Sequence, residues 1–155
     1  MKRTGLKSAY ELFQRYKPVI FKIQSQQLSP VNIFNIMDKI NLKEKFSLFS
    51  EYWSPKIVGE LNGQLVKLAK FKGEFIWHHH EHEDELFLVV EGTLNMAFRD
   101  KTITVNKGEF IIVPKGTEHK PIAAEEVLVM LFEPAATINT GNTNNGLTKT
   151  TLDKI

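Results

Sequence analysis

From Lys56 onward the chain alternates short apolar runs with clusters of turn residues, and each run predicts a strand. Ile57–Leu61 and Gln64–Phe71 flank Asn62-Gly63, a pair that readily takes the positive φ values of a tight hairpin turn. A histidine-bearing strand follows, then a strand from Glu85 to Val90, a turn at Glu91-Gly92 and a strand from Leu94 to Phe98. Arg99-Asp100-Lys101 and Asn106-Lys107-Gly108 frame Thr102–Val105, and Phe110–Val113 and Val127–Phe132 complete the series. Short strands at such regular spacing indicate an all-β antiparallel barrel or sandwich and argue against an α/β fold.

Helical patterns are confined to the region before Lys56. Leu6, Ala9, Tyr10, Phe13 and Tyr16 fall partly on one side of a helix over Ser8–Lys17 that Pro18 stops. Ser29-Pro30 predicts a second helix running towards Met37 or Ile40. Asn41 with Glu44 caps a third stripe, Leu42, Phe46 and Phe49, and the aromatics Phe46, Phe49, Tyr52 and Trp53 are expected to cover a sheet face. After Pro134 the chain is rich in Thr, Asn and Gly, which predicts an extended tail over the surface.

Strand faces add one inference. If Glu85 points inward, Phe87 and Val89 do too, yet Leu86, Leu88 and Val90 on the opposite face are equally apolar. Both faces need cover from a second sheet, the N-terminal helices or a partner subunit, so a homodimer is expected.

Composition narrows the function classes. A chain of 155 residues suits one core, and 42% hydrophobic with 25% charged residues is ordinary for a globular protein. The lack of cysteine removes disulfides, thiolate metal sites and cysteine nucleophiles, and fits a cytoplasmic protein. No apolar run reaches the length of a membrane span. The net charge of +2 hides an asymmetry: residues 1–36 carry six basic residues against one acidic, leaving −3 for the remainder. This extension reads as loosely packed in preference to a membrane-surface, targeting or nucleic-acid arm, and no nucleic-acid partner is expected. A phosphate-cradling glycine loop and a serine triad are missing, which weakens nucleotide and hydrolase readings.

Candidate chemistry is concentrated in GEFIWHHHEHEDELFLVVEG, Gly73 to Gly92, which holds four of the five histidines. In an extended chain His78 and His80 share a face while Trp77, His79 and Glu81 share the other. Glu85 opens the next strand, and His119 is the one distant imidazole available as a further ligand. A metal site is the natural reading.

The two segments resemble the paired motifs of the cupins. His78-x-His80, four residues, Glu85, six residues and Gly92 match the first motif; Gly108, five residues, Pro114-Lys115-Gly116, two residues and His119 match the second. The resemblance sets the register, because the rival pair His80-x-His82 would need its carboxylate at Leu86 or Phe87. Two departures occur: four residues, not five, separate Gly73 from His78, and Ala123 stands where the motif has Asn.

The resemblance, spanning roughly Lys56 to Pro134, implies an antiparallel double-stranded β-helix, the jelly-roll or cupin barrel, with short N-terminal helices. The organisation expected is a basic extension over 1–36, a cupin domain with a helical lead-in over 37–134 and a tail over 135–155. A start of translation at Met37 is the alternative reading of the extension. The implied metal ligands are His78, His80, Glu85 and His119, holding one divalent transition metal ion: Fe, Mn, Ni, Co, Cu or Zn. Glu85 would leave a local charge near +1, suited to a small-molecule ligand that is an oxygenated anion. Phe87, Met96 and Phe98 are expected to wall the site, with His79 and His82 on the far face and Glu81, Glu83 and Asp84 in a solvated loop. Cupins include oxygenases, isomerases and non-catalytic binding modules, so the expectation is a metal-dependent dioxygenase- or isomerase-like enzyme, with a binding or sensing module as the alternative.

Overall fold

The structure, a computed structural model, describes residues 39–155. The helices expected over Ser8–Lys17 and from Pro30 fall outside or at the edge of the described residues. One short helix, α1 (Leu42–Phe46), precedes seven strands: β1 (Lys56–Leu61), β2 (Gln64–Glu74), β3 (Glu85–Glu91), β4 (Thr93–Phe98), β5 (Thr102–Asn106), β6 (Phe110–Val113) and β7 (His119–Pro134). The Asn41 side chain accepts from the Glu44 amide and its Nδ2 donates to the Glu44 carboxylate, so Asn41 caps the helix as the sequence predicts.

All strand pairs are antiparallel, and the sixteen-residue β7 pairs with three of the other strands, β2, β3 and β4. One edge of β7 pairs with β2 from Gln64↔Pro134 to Glu74↔Ile122. The other edge pairs first with β3, through Leu86↔Phe132 to Glu91↔Leu128, and then with β4, through Asn95↔Ile122 to Phe98↔His119. β6 continues the sheet beyond β3, and β5 beyond β4. The β1–β2 hairpin turns at Asn62 (φ 51°) and Gly63 (φ 76°), as the Asn-Gly pair requires.

Three strand expectations need correction. Glu91-Gly92 is not a reversal: β3 and β4 run in the same direction along β7, and Gly92 (φ 89°) is the joint between them. A Cβ there would lie 2.9 Å from the Glu126 carbonyl oxygen, so the close approach of β7 demands glycine. β7 begins eight residues before Val127, because Lys120-Pro121 and Glu125-Glu126 disguise its first half as loop. Residues 76–84 form no regular strand; an isolated bridge, His78↔His119, fixes them, although burial still alternates at His78 and His80.

Inward side chains build one core around Ala69, Phe71, Phe87, Val89, Met96 and Val129. A second cluster, Phe46, Phe49, Val58 and Leu68, lies on the outer face, with Val90, Leu128 and Met130 packed against it. Phe46 and Phe49 thus cover a sheet face as expected, but Trp53 packs into the barrel and Tyr52 is exposed. Ala123, where the motif has Asn, is fully buried opposite Gly73.

Candidate metal centre

His78, His80, Glu85 and His119 converge inside the barrel, each at most 4% exposed. One candidate ligand atom from each lies within 4.8 Å of the others. His119 is the first residue of β7 and Glu85 the first of β3, so the sheet itself positions two of the four. The His78 amide donates to the His119 carbonyl (3.1 Å) and the His119 amide donates back (2.9 Å), fixing the two imidazoles side by side. The Gly116 amide donates to the His80 carbonyl at 2.6 Å, and the Lys115 amide donates to Asp84 Oδ1 at 2.9 Å. The Pro-x-Gly turn therefore holds the histidine segment at His80 and Asp84.

Hydrogen bonding also orients the rings. Nδ1 of His78 faces the Ile76 carbonyl (3.0 Å) and Nδ1 of His119 faces the Thr117 carbonyl (2.9 Å), so each Nδ1 carries the proton and each Nε2 presents a lone pair. His80 Nε2 lies 3.0 Å and His119 Nε2 3.4 Å from Glu85 Oε2. These three buried atoms have no hydrogen-bond partner among the described residues. Buried polar atoms are rarely left so; acceptors converging on one point suit a cation, and imidazole with carboxylate suits a divalent transition metal. The donor set fits the ion that the sequence implies. His79 and His82 stand outside the cluster, on half-buried and exposed positions.

Burial disfavours the charged form of His78, and the neighbouring His119 adds repulsion, lowering its pKa to about 4. Burial alone would raise Glu85, but the His119 and His80 rings beside it hold its carboxyl well below the usual carboxylate range. For His78 the native form takes up a proton less readily than the unfolded chain. Its contribution is therefore complete above about pH 6.5 and is lost as pH falls towards 4, on the order of 3 kcal/mol. Urea unfolding of chelator-treated protein is expected to show this loss; equal stability at about pH 7 and pH 4 would contradict it.

A cavity adjoins the cluster, with an atom-free volume of about 390 Å³ including its opening. Trp53, Phe71, Phe75, Phe87 and Leu131 form its apolar wall, and His78, Glu85 and Glu133 its polar end. Of the expected wall residues only Phe87 takes part; Met96 is fully buried in the core and Phe98 packs against that core. Trp53 stacks on Phe71 (4.4 Å between centroids) and Phe75 (4.9 Å). Its backbone adopts φ 57°, an unusual conformation for a bulky side chain, held by its amide to the Lys70 carbonyl and its indole N–H to the Lys72 carbonyl.

Two further residues escape motif reasoning. Lys67 Nζ and Glu133 Oε1 pair at 2.8 Å, both side chains at most 3% exposed, and Glu133 Oε2 has no partner among the described residues. Burial and the charge of adjacent Glu85 raise the Glu133 pKa to about 8, against the pull of Lys67. Strand alternation carried the signal: Lys67 shares a face with Leu65, Ala69 and Phe71, and Glu133 shares one with Val127, Val129 and Leu131.

The segment after Pro134 does more than run over the surface. Thr137 and Thr140 are buried, Asn139 lines the cavity, and Leu147 packs on the core. The Asn142 amide donates to the His79 carbonyl and the His79 amide donates to Asn142 Oδ1, both at 3.0 Å. This segment is thereby fastened to the histidine segment at His79.

Comparison with known proteins agrees with this architecture. Residues 64–133 match the cupin domain family. The uncharacterized protein YdbB of Bacillus subtilis is 41% identical over 90 residues, which are 57% of this chain and 72% of YdbB. A crystal structure of a cupin-2 domain containing protein from Shewanella frigidimarina is 53% identical, with TM-score 0.61, over 61% of this chain and 93% of that one. Protein NMB1881 of Neisseria meningitidis is 32% identical, with TM-score 0.59, over 63% of this chain and all of that one.

Proposed function

The chain belongs to the cupin family, and from that premise we propose that His78, His80, Glu85 and His119 bind one divalent transition metal ion beside a small-molecule cavity. The observation that carries this reading is the convergence of three partnerless buried atoms, His80 Nε2, Glu85 Oε2 and His119 Nε2. Such an ion, when bound, supplies Lewis acidity and open positions for exogenous oxygen ligands, the chemistry of oxygenation or isomerisation of a small oxygenated anion. The chain's own residues orient the donors through the Ile76 and Thr117 carbonyls, and the aromatic wall excludes water from the site. Elemental analysis of tag-free protein is expected to find near one equivalent of metal in the parent and in His82→Ala, and none in His119→Ala. Equal metal content in the parent and His119→Ala, or an empty His82→Ala, contradicts the assignment.

The outer sheet face supports a homodimer within the same reading. Leu86 and Leu88 of β3 stand opposite Ile112 and Phe110 of β6, which are 53% and 60% exposed. A second copy seated there would remove an apolar strip from water. Sedimentation equilibrium is expected to give a dimer for the parent and a monomer for Phe110→Lys/Ile112→Lys; a monomeric parent would contradict this.

A further inference from the structure

A second cleft, of about 290 Å³, lies between the β1–β2 hairpin and the segment after Pro134. Lys67 belongs to its wall and Glu133 to the wall of the metal-centre cavity, and the two cavities have no lining residue in common. Its apolar lining is aliphatic: Ile57, Leu65, Ala135, Ala136, Leu152 and Ile138, the last 45% exposed and so open to a ligand chain.

The polar lining has a definite charge. Among the described residues no acidic side chain lines the cleft, and Lys149 has no ion pair there. Lys67 is balanced by Glu133 at 2.8 Å, and Asp153, next to Leu152, is engaged by Lys56 at 2.7 Å. One positive charge is therefore left over, which matches a monoanion. Thr137 points to a ligand independently. It is 6% exposed, and its Oγ1 has no hydrogen-bond partner among the described residues, a state that buried hydroxyls rarely keep. Its backbone is fixed: the amide donates to the Pro134 carbonyl at 3.1 Å, and the carbonyl accepts from Lys67 Nζ at 3.4 Å. Lys149 is placed by its amide, which donates to Asn139 Oδ1 at 2.8 Å.

We propose that this cleft binds a small aliphatic monocarboxylate, with its chain on the Ile57, Leu65 and Leu152 wall and its carboxylate held by the Thr137 hydroxyl and the Lys149 ammonium. The hydroxyl donates to one carboxylate oxygen and the ammonium balances the charge. A cavity of about 150 Å³ suffices for benzene in other proteins, so about 290 Å³ admits a chain of about six carbons with its head group. The site stands apart from the four buried side chains and does not rest on the metal reading.

The test uses full-length protein at neutral pH and three probes, hexanoate, hexanol and acetate, followed by calorimetry and amide NMR. Hexanoate is expected to bind about tenfold more tightly than hexanol, which lacks the charge, and than acetate, which lacks the chain. The amides of Thr137, Thr150 and Thr151 are expected to shift, with those of His78 and His119 unmoved. Lys149→Met, a change at an exposed position, is expected to keep hexanol binding and to lose the gain for hexanoate. Thr137→Val is expected to weaken hexanoate about tenfold. Equal affinity for hexanoate and either other probe, an undiminished gain in Lys149→Met, or shifts confined to the histidine segment overturns the proposal.

Discussion

Lys67→Met is expected to destabilise the protein by about 1–2 kcal/mol more at about pH 9 than near pH 6, and the double variant Lys67→Met/Glu133→Leu is expected to lose that pH dependence. The Lys67 ammonium and the Glu133 carboxyl face each other at 2.8 Å in a region where neither reaches water. Removing the cation alone raises Glu133 further, so the carboxyl must take up a proton to stay buried beside Glu85, at a cost that grows with pH. Replacing both partners removes that carboxyl together with the pair, and apolar side chains then fill the inward positions. The pH dependence has a definite sign. The Glu133 pKa is raised to about 8, so near pH 6 a proton neutralises the group and the cost of losing Lys67 shrinks. Urea unfolding of both variants at the two pH values checks the prediction. A single variant with no more pH dependence than the double would contradict the pairing.

Gly141→Ala is expected to cost about 2–4 kcal/mol, from overpacking and a disfavoured backbone conformation. Gly141 has φ 52°, and a Cβ built there falls 2.1 Å from the His79 carbonyl oxygen and 3.3 Å from His80 Cε1. Neither the backbone of the histidine segment nor that of the closing segment can yield without breaking the paired hydrogen bonds between His79 and Asn142. The substitution therefore lifts the segment that covers His80. Lower urea stability together with new protease cleavage between Pro134 and Thr151 is the expected result; unchanged stability and cleavage would contradict it.

The barrel was legible in the sequence because turn residues punctuate it at Asn62-Gly63, Arg99-Asp100-Lys101 and Asn106-Lys107-Gly108. The residues that cluster at the site were legible because histidine is rare here and its spacing is narrow. Long-range geometry was harder to read. Gly92 resembles a hairpin turn locally, and only the approach of Glu126 and Val127 shows why the chain bends without reversing. The first half of β7 contains Pro121 and two consecutive glutamates, which strand propensity rejects and pairing with β2 and β4 overrides. Trp53 reads with Phe46, Phe49 and Tyr52 as cover for a sheet face, and its positive φ, which accompanies its packing in the barrel, has no sequence signal. Lys67 and Glu133 lie outside both motifs, and no local pattern sets them apart from the other charges of the chain. Their positions on the inward faces of β2 and β7 become informative once those strands are known to wrap one core.

The most direct test of the central claim is anomalous scattering from crystals of metal-loaded protein, collected at the absorption edge of the added metal. One strong peak per chain is expected, bounded by His78, His80, Glu85 and His119, with His79 and His82 away from it. A peak at His79 or His82, with none among the four buried side chains, would contradict it.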